Sequence, residues 1–332
     1  MKLSVCANMA LAAALSFGGL FLTVPSAYAQ PLKKVSFLTN YVYNGRHTPF
    51  FVGREKGFYK EAGFDIDISP ATGSGFVVVA VDSGRADYGM ADIGSVVQGL
   101  TKGAKIKAIM VYTDVTTGGL ASLAPFPKPE SLLGKKIASS QGDSSRAVLP
   151  IIFGEQKLDA SKIQWQTADP GVYTSLLISG QVDLITATSD GDMPALTKLA
   201  AAQGKKAHFS SFRDWGYDAF GFVLVGKAAN LEQNPDEARR FAAATKKAVA
   251  YAIKNPDEAV DIVVKANPAM NRENVMTQWR GAITSIETPY VAQNGYGAAT
   301  DDRIQRSIDL VKKAMNLEGT LKPDDVFALK GK

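Results

Sequence analysis

The sequence predicts an α/β fold with parallel sheets shared between two lobes, and three observations carry that expectation. Beta runs at 35–38, 65–69 and 87–90 alternate with helical patterns, the mark of βα units. Each run ends in small or polar residues rather than continuing into apolar sequence, which sets the loops at the carboxyl ends of the strands apart as the places where such sheets bind ligands. The chain's 332 residues also exceed what one core of ordinary size organises.

The elements follow in chain order. Lys2 is the only charge before Lys33, an apolar run extends from Met9 to Val24, and Ala27-Tyr28-Ala29 is the small-x-small pattern that a signal peptidase reads. Residues 1–29 are therefore expected to leave as a signal peptide, with the exported, periplasmic chain starting at Gln30. The apolar run is shorter than the roughly 20 residues of a spanning helix, and Pro25 and Ser26 break it. Cys6 precedes the run, so it is not placed for lipidation. Beyond Gln30 no cysteine is left for disulfides, thiolate metal sites or nucleophilic thiol chemistry.

After the first three βα units, 107–112 reads as a fourth strand, and the polar stretch 113–119 is where the chain is expected to leave the first lobe. A short helix (129–133), a strand (134–138), a helix (144–156), a strand (163–167), a helix (171–179), a strand (183–187) and a helix (193–203) then build the second lobe. The return is expected near 215–218, with 220–225 a buried strand back in the first lobe. The expected division is 30–118 with 219–332 for lobe one and 119–218 for lobe two. The last third is helical (235–254, 256–265, 273–286, 302–315). Asn234-Pro235-Asp236-Glu237-Ala238 recurs as Asn255-Pro256-Asp257-Glu258-Ala259, which is helix-start chemistry used twice: an Asn cap, Pro in the first turn, acids at the positive end. Phe241, Val249, Ile253, Val260 and Val263 are expected core residues.

Composition excludes several functions. The chain is 46% hydrophobic and 21% charged, with formal charge +5 and lysines scattered among acids, as at Glu55-Lys56 and Lys60-Glu61. No basic stripe interleaved with aromatics marks a nucleic-acid surface. His47 and His208 are the only histidines and share no metal-ligand spacing. There is no Gly-x-Ser-x-Gly elbow and no Walker loop, and no cofactor is expected.

Site candidates come from the loops after strands. Asn40, Tyr41, Tyr43 and His47 follow the first strand, Thr72 and Ser74 the second, Asp92 the third, and Thr117 the fourth. His47 precedes Thr48-Pro49 at a helix start, where it either meets a ligand or caps the helix. Tyr41 and Tyr43 offer stacking faces or pack as core. Asp92 either accepts bonds from an amine or amidine or caps the helix that begins at Ile93. In the second lobe the loop 139–145, with Ser139, Ser144 and Ser145, offers hydroxyls and N–H groups for an anion or polar group. The loop 186–192 with Asp190 is equivalent in position.

Lys56-Gly57-Phe58-Tyr59-Lys60-Glu61-Ala62-Gly63-Phe64-Asp65-Ile66, Gly73-Ser74-Gly75 and Asp82-Ser83-Gly84-Arg85-Ala86-Asp87-Tyr88-Gly89 resemble the periplasmic solute-binding proteins of the nitrate, sulfonate, taurine and thiamine-pyrimidine group. Gly134-Lys135-Lys136-Ile137 and Ser179-Gly180-Gln181-Val182-Asp183 fit that group's second lobe. The resemblance implies a type II periplasmic binding protein: two α/β lobes joined by crossover strands, closing on a small-molecule solute and delivering it to an ABC transporter permease, as a monomer. Anion binders of the group would use cations or N–H donors, and Arg46 and Arg146 stand beside candidate loops. A nitrogen-containing ring would use aromatic faces and carboxylates, which Tyr41, Tyr43, Asp92 and Asp190 supply. Acids and tyrosines outnumber arginines there, which favours a neutral or amine-bearing ring such as a pyrimidine. The group also resembles thiamine-pyrimidine synthases, whose chemistry involves a histidine near the position of His47 and a cysteine-rich iron-binding segment. That segment is missing here, so a non-enzymatic role is expected.

Overall fold

The computed structural model describes residues 31–315 and 318–330. The expected signal peptide, its cleavage site and Cys6 lie outside the described residues. Ten strands are present among those described: β1 (Lys33–Leu38), β2 (Phe64–Ser69), β3 (Tyr88–Asp92), β4 (Ile106–Val111), β5 (Gly118–Ser122), β6 (Lys136–Ser139), β7 (Gln164–Thr167), β8 (Leu184–Thr188), β9 (His208–Ser211) and β10 (Phe222–Lys227). They form two five-stranded sheets, ordered β2-β1-β3-β10-β4 and β7-β6-β8-β5-β9.

The sheets are mixed, not wholly parallel. β1 pairs in parallel with β2 and β3, but the returning β10 enters antiparallel between β3 and β4. In the second sheet β6 is parallel to β7 and β8, whereas β5 is antiparallel to β8 and β9. β5 and β9 were not expected. Gly118-Gly119-Leu120-Ala121-Ser122 carries no β-branched or aromatic residue, and β9 is only four residues long. Gly119 is needed because a Cβ there would sit 2.3 Å from the Ser210 carbonyl oxygen across the strand pair.

Apolar alternation places the first sheet's inner face. β2 buries Phe64, Ile66 and Ile68 and exposes Asp65 and Asp67. The helix Pro235–Lys254 covers that sheet with Phe241 at the centre, stacked on Tyr88 at 4.3 Å and on Tyr59 at 5.2 Å between ring centroids. Val249, Val260 and Val263 are buried as expected, while Ile253 is only partly so. The expected Asn caps differ: neither Asn234 nor Asn255 accepts a capping bond, and the Asn255 amide instead donates to the Tyr251 carbonyl, closing the preceding helix. The helix Asp301–Met315 packs on the helix Ser145–Glu155, so Ile304, Ile308 and Val311 share a core with Val148 and Ile152. No helix among the described residues is long and apolar enough to cross a membrane.

Two segments link the sheets, 112–117 and 212–221, and they are tied to each other. Gly221 N–H donates to the Thr113 carbonyl (3.1 Å), Phe222 N–H to Thr113 Oγ1 (2.7 Å) and Ile93 N–H to the Gly221 carbonyl (3.0 Å). The loops after the strands of both sheets therefore meet on one side of these crossings.

Candidate functional site

A pocket lies where those loops meet, with about 570 Å³ of non-protein space including the part continuous with solvent. From the first sheet it is walled by Asn40, Tyr41, Ser74 and Asp92, and from the second by Asp143, Ser144, Ser145, Thr186 and Asp192. Six sequence candidates are thus brought together: Asn40, Tyr41, Ser74, Asp92, Ser144 and Ser145.

Asp92 is 3% exposed, and it both caps and faces the pocket. Its Oδ1 accepts from Gly94 N–H at 2.9 Å at the start of the helix Ile93–Thr101, so the two roles weighed from sequence coincide in one carboxylate. Burial pushes its pKa up to about 7, against backbone hydrogen bonds from Gly94 and Ser95, with nearby Asp143 adding to the rise. Asp192 accepts from Thr188 N–H (2.7 Å) and Thr188 Oγ1 (2.9 Å), and burial pushes it up to about 6. Asp143 accepts from Ser145 N–H (2.9 Å) and Thr186 Oγ1 (2.6 Å). Burial, then Asp192 and Asp143, push the Tyr41 phenol far above its usual range. Its ring lies 6.4 Å from that of Tyr173, tilted by 48°.

The other six candidates stand behind this surface or beside it. His47 is fully buried and neutral, its pKa driven well below the usual value by burial and by adjacent Arg46. Nδ1 accepts from Asn44 N–H (3.2 Å), which leaves Nε2–H to donate to Asn40 Oδ1 (3.0 Å); His47 thus aims Asn40's amide instead of meeting a ligand. Tyr43 packs edge-on against Phe51 and donates to the Ile68 carbonyl (2.7 Å). Thr72 is exposed, and its carbonyl takes the Ser140 hydroxyl. Ser139 is buried and turned to the Ser140 carbonyl (3.3 Å). Thr117 accepts from Arg46 Nη2 (3.1 Å), and Asp190 holds Arg46 through Nε (2.8 Å) and Nη2.

Arg46 and Arg146 have different fates. Arg146 points away, donating to the carbonyls of Ser139 (2.9 Å) and Ser140 (2.8 Å) and packing on Trp165, so it shapes the loop and leaves the pocket without its charge. Arg46 lines the pocket, but its charge is met by Asp190 behind it. The pocket wall is therefore acid-rich. Asn44, Thr116, Phe212 and Phe222 also line it and were missed. Thr116, Phe212 and Phe222 belong to the crossings or their edges, which carry no local motif; Asn44 had a signal, as the residue three before His47 in a reciprocal cap.

The loops of the two sheets also touch directly. Gly75 N–H donates to the Gly142 carbonyl (2.8 Å), the Ser140 hydroxyl to the Thr72 carbonyl, and Gln278 bridges Gly45 N–H (2.8 Å) to the Gly191 carbonyl (2.5 Å). Gly73 makes the first contact possible. It has φ +146°, and a Cβ there would lie 2.0 Å from the Gly142 oxygen.

A family model described as NMT1/THI5 like matches residues 44–259. The 4-amino-5-hydroxymethyl-2-methylpyrimidine phosphate synthase THI13 of Saccharomyces cerevisiae is 24% identical over 290 residues, 80% of this chain and 82% of the yeast protein. A formylaminopyrimidine-binding protein of Halalkalibacterium halodurans is 20% identical over 239 residues, 71% of each chain. Among solved structures, the alkanesulfonate-binding protein SsuA of Xanthomonas axonopodis pv. citri, bound to MOPS, superposes with a TM-score of 0.67 at 12% identity, covering 90% of this chain and 99% of that one. At such identity the likeness carries the fold alone, and the fold is that of type II periplasmic binding proteins.

Proposed function

Because the chain belongs to the NMT1/THI5-like family, we propose that it is the solute-capturing component of an ABC importer, taking a small nitrogen-containing ring of the pyrimidine kind between its two lobes. The observation that carries this reading is the charge of the pocket wall. Asp92, Asp143 and Asp192 face it, while its one guanidinium is already paired. An exocyclic amine donates to carboxylates, and a ring nitrogen accepts from a carboxyl that keeps its proton, which a group titrating at about 7 does part of the time. Asn40, with Oδ1 taken by His47, offers its amide N–H groups to a ring nitrogen or carbonyl. The remaining parts of the proposal are a periplasmic location, action as a monomer, and delivery to a membrane permease.

Two other readings have specific footings. A sulfonate, nitrate or carboxylate ligand would fit the solved neighbour's fold, but Arg146 faces elsewhere and Arg46 is neutralised. A pyrimidine synthase would fit the yeast relative's name. Against it, both nitrogens of buried His47 are in hydrogen bonds within the protein.

A thermal-shift panel on residues 30–332 tests the reading. An aminopyrimidine present at 100 times its dissociation constant is expected to stabilise the protein by about 2.7 kcal/mol, with alkanesulfonates and nitrate producing no shift. Stabilisation by the anions alone would reverse the assignment.

A further inference from the structure

We infer that Asp190 sets the charge class of the ligand by withholding Arg46 from the pocket. Asp190 follows β8 in the second sheet and Arg46 follows β1 in the first, so the pair crosses between them. Arg46 is 1% exposed and Asp190 2%. The carboxylate engages both Nε and Nη2, Thr117 Oγ1 takes a further Nη2 bond, and the guanidinium carbon lies 4.6 Å over the Phe222 ring. Nη1 makes no hydrogen bond among the described residues, and Arg46 and Phe222 both line the pocket.

A buried guanidinium demands an anion, and Asp190 supplies it from the side away from the ligand. Nη1 then remains as a donor whose charge is already matched. It suits a neutral acceptor, such as a ring nitrogen or carbonyl, and gives a sulfonate or carboxylate no net attraction. Removing the charge of Asp190 at constant shape leaves the same guanidinium facing the pocket without its hydrogen-bonded anion, with Asp192 the remaining carboxylate that its charge acts on, and a small anion can take the vacated pairing. Asp190 is thus a positioning and specificity residue acting through Arg46, not a ligand contact.

This deepens the solute-binding proposal and rests on it, but the two fail separately. Calorimetric titration of wild type, Asp190→Asn and the double variant Arg46→Gln/Asp190→Asn with acetate, sulfate and ethanesulfonate provides the test, and titration of wild type with an aminopyrimidine checks the underlying reading alone. Asp190→Asn is expected to bind at least one anion tenfold or more tighter than the other two proteins. A folded Asp190→Asn that binds none of the three anions better than the double variant overturns the inference, as does a wild type that binds ethanesulfonate equally well. If Asp190→Asn does not fold in buffer, its refolding yield with and without acetate is read instead. A rise with acetate that is absent from the double variant supports the inference, and no rise overturns it.

Discussion

Asp92→Asn is expected to make the ligand-free protein more stable than wild type by about 2–4 kcal/mol at pH 8, with the gain vanishing near pH 4. The sign follows from the direction of the shift. Burial holds the Asp92 carboxyl at about 7 in the folded state, against roughly 3.9 when unfolded. The folded protein therefore grips this proton more tightly. That contribution is complete below about pH 4 and is lost as pH rises through about 7, so ionised Asp92 is a cost at pH 8 that a neutral isostere removes. Asn keeps the cap on Gly94, and losing the charge at the helix start returns only about 0.3–1 kcal/mol. Asp192, pushed up to about 6, leaves the variant a shallower slope between about pH 4 and 6. The same substitution is expected to weaken an amine-bearing ligand by about 1.5–3 kcal/mol. Urea unfolding at pH 4.5 and pH 8, paired with titration, reads all of this. A variant less stable than wild type at pH 8 with unchanged affinity would make Asp92 a cap and nothing more.

Gly73→Ala is expected to cost at least tenfold in ligand affinity, about 1.4 kcal/mol or more. The backbone there, at φ +146° and ψ 161°, belongs to a region essentially reserved for glycine, where strain is on the order of 1–3 kcal/mol. The added methyl also meets backbone, the Gly142 carbonyl, which cannot rotate aside as a side chain would. Relief requires the two loops to part, breaking the Gly75–Gly142 bond that joins them next to the pocket residues Gly73 and Asp143. Gly57→Ala is the control. It too imposes a positive φ (+76°), but nothing lies within 4 Å of the new Cβ, so stability should fall while affinity holds. Equal loss of affinity in both variants would mean that strain, and not the meeting of the loops, is what binding senses.

The frame of this fold was legible because its signals are local. β1, β3, β4, β6 and β8 show as short apolar runs between helical patterns and β2 as an alternating one, and the strand-end rule leads from β1, β2 and β3 to Asn40, Tyr41, Ser74 and Asp92. β5 and β9 escaped because their places depend on long-range pairing, β5 with β8 and β9 with β5, and Gly118-Gly119 looks like a loop until Ser210 is seen against it. Within loops, direction was not legible. Residues a few positions apart face different ways, so Tyr41 lines the pocket while half-buried Tyr43 packs against the core, and Ser144 faces the pocket while Ser139 turns back into its own loop. The partnership of Arg46 with Asp190 spans 144 positions, which no spacing rule reaches. That partnership decides how the arginine is read. From sequence Arg46 counts toward an anion site, and paired it counts toward a neutral or basic one.

The most direct measurement is a crystal structure of residues 30–332 grown with an aminopyrimidine, with a parallel crystal grown with an alkanesulfonate. Ring density is expected in the pocket, with the exocyclic nitrogen within hydrogen-bond distance of Asp92 or Asp192 and the Arg46–Asp190 pair intact, and no sulfonate in the parallel crystal. A sulfonate bound at Arg46 with Asp190 displaced, and the pocket empty of the ring, would contradict the account.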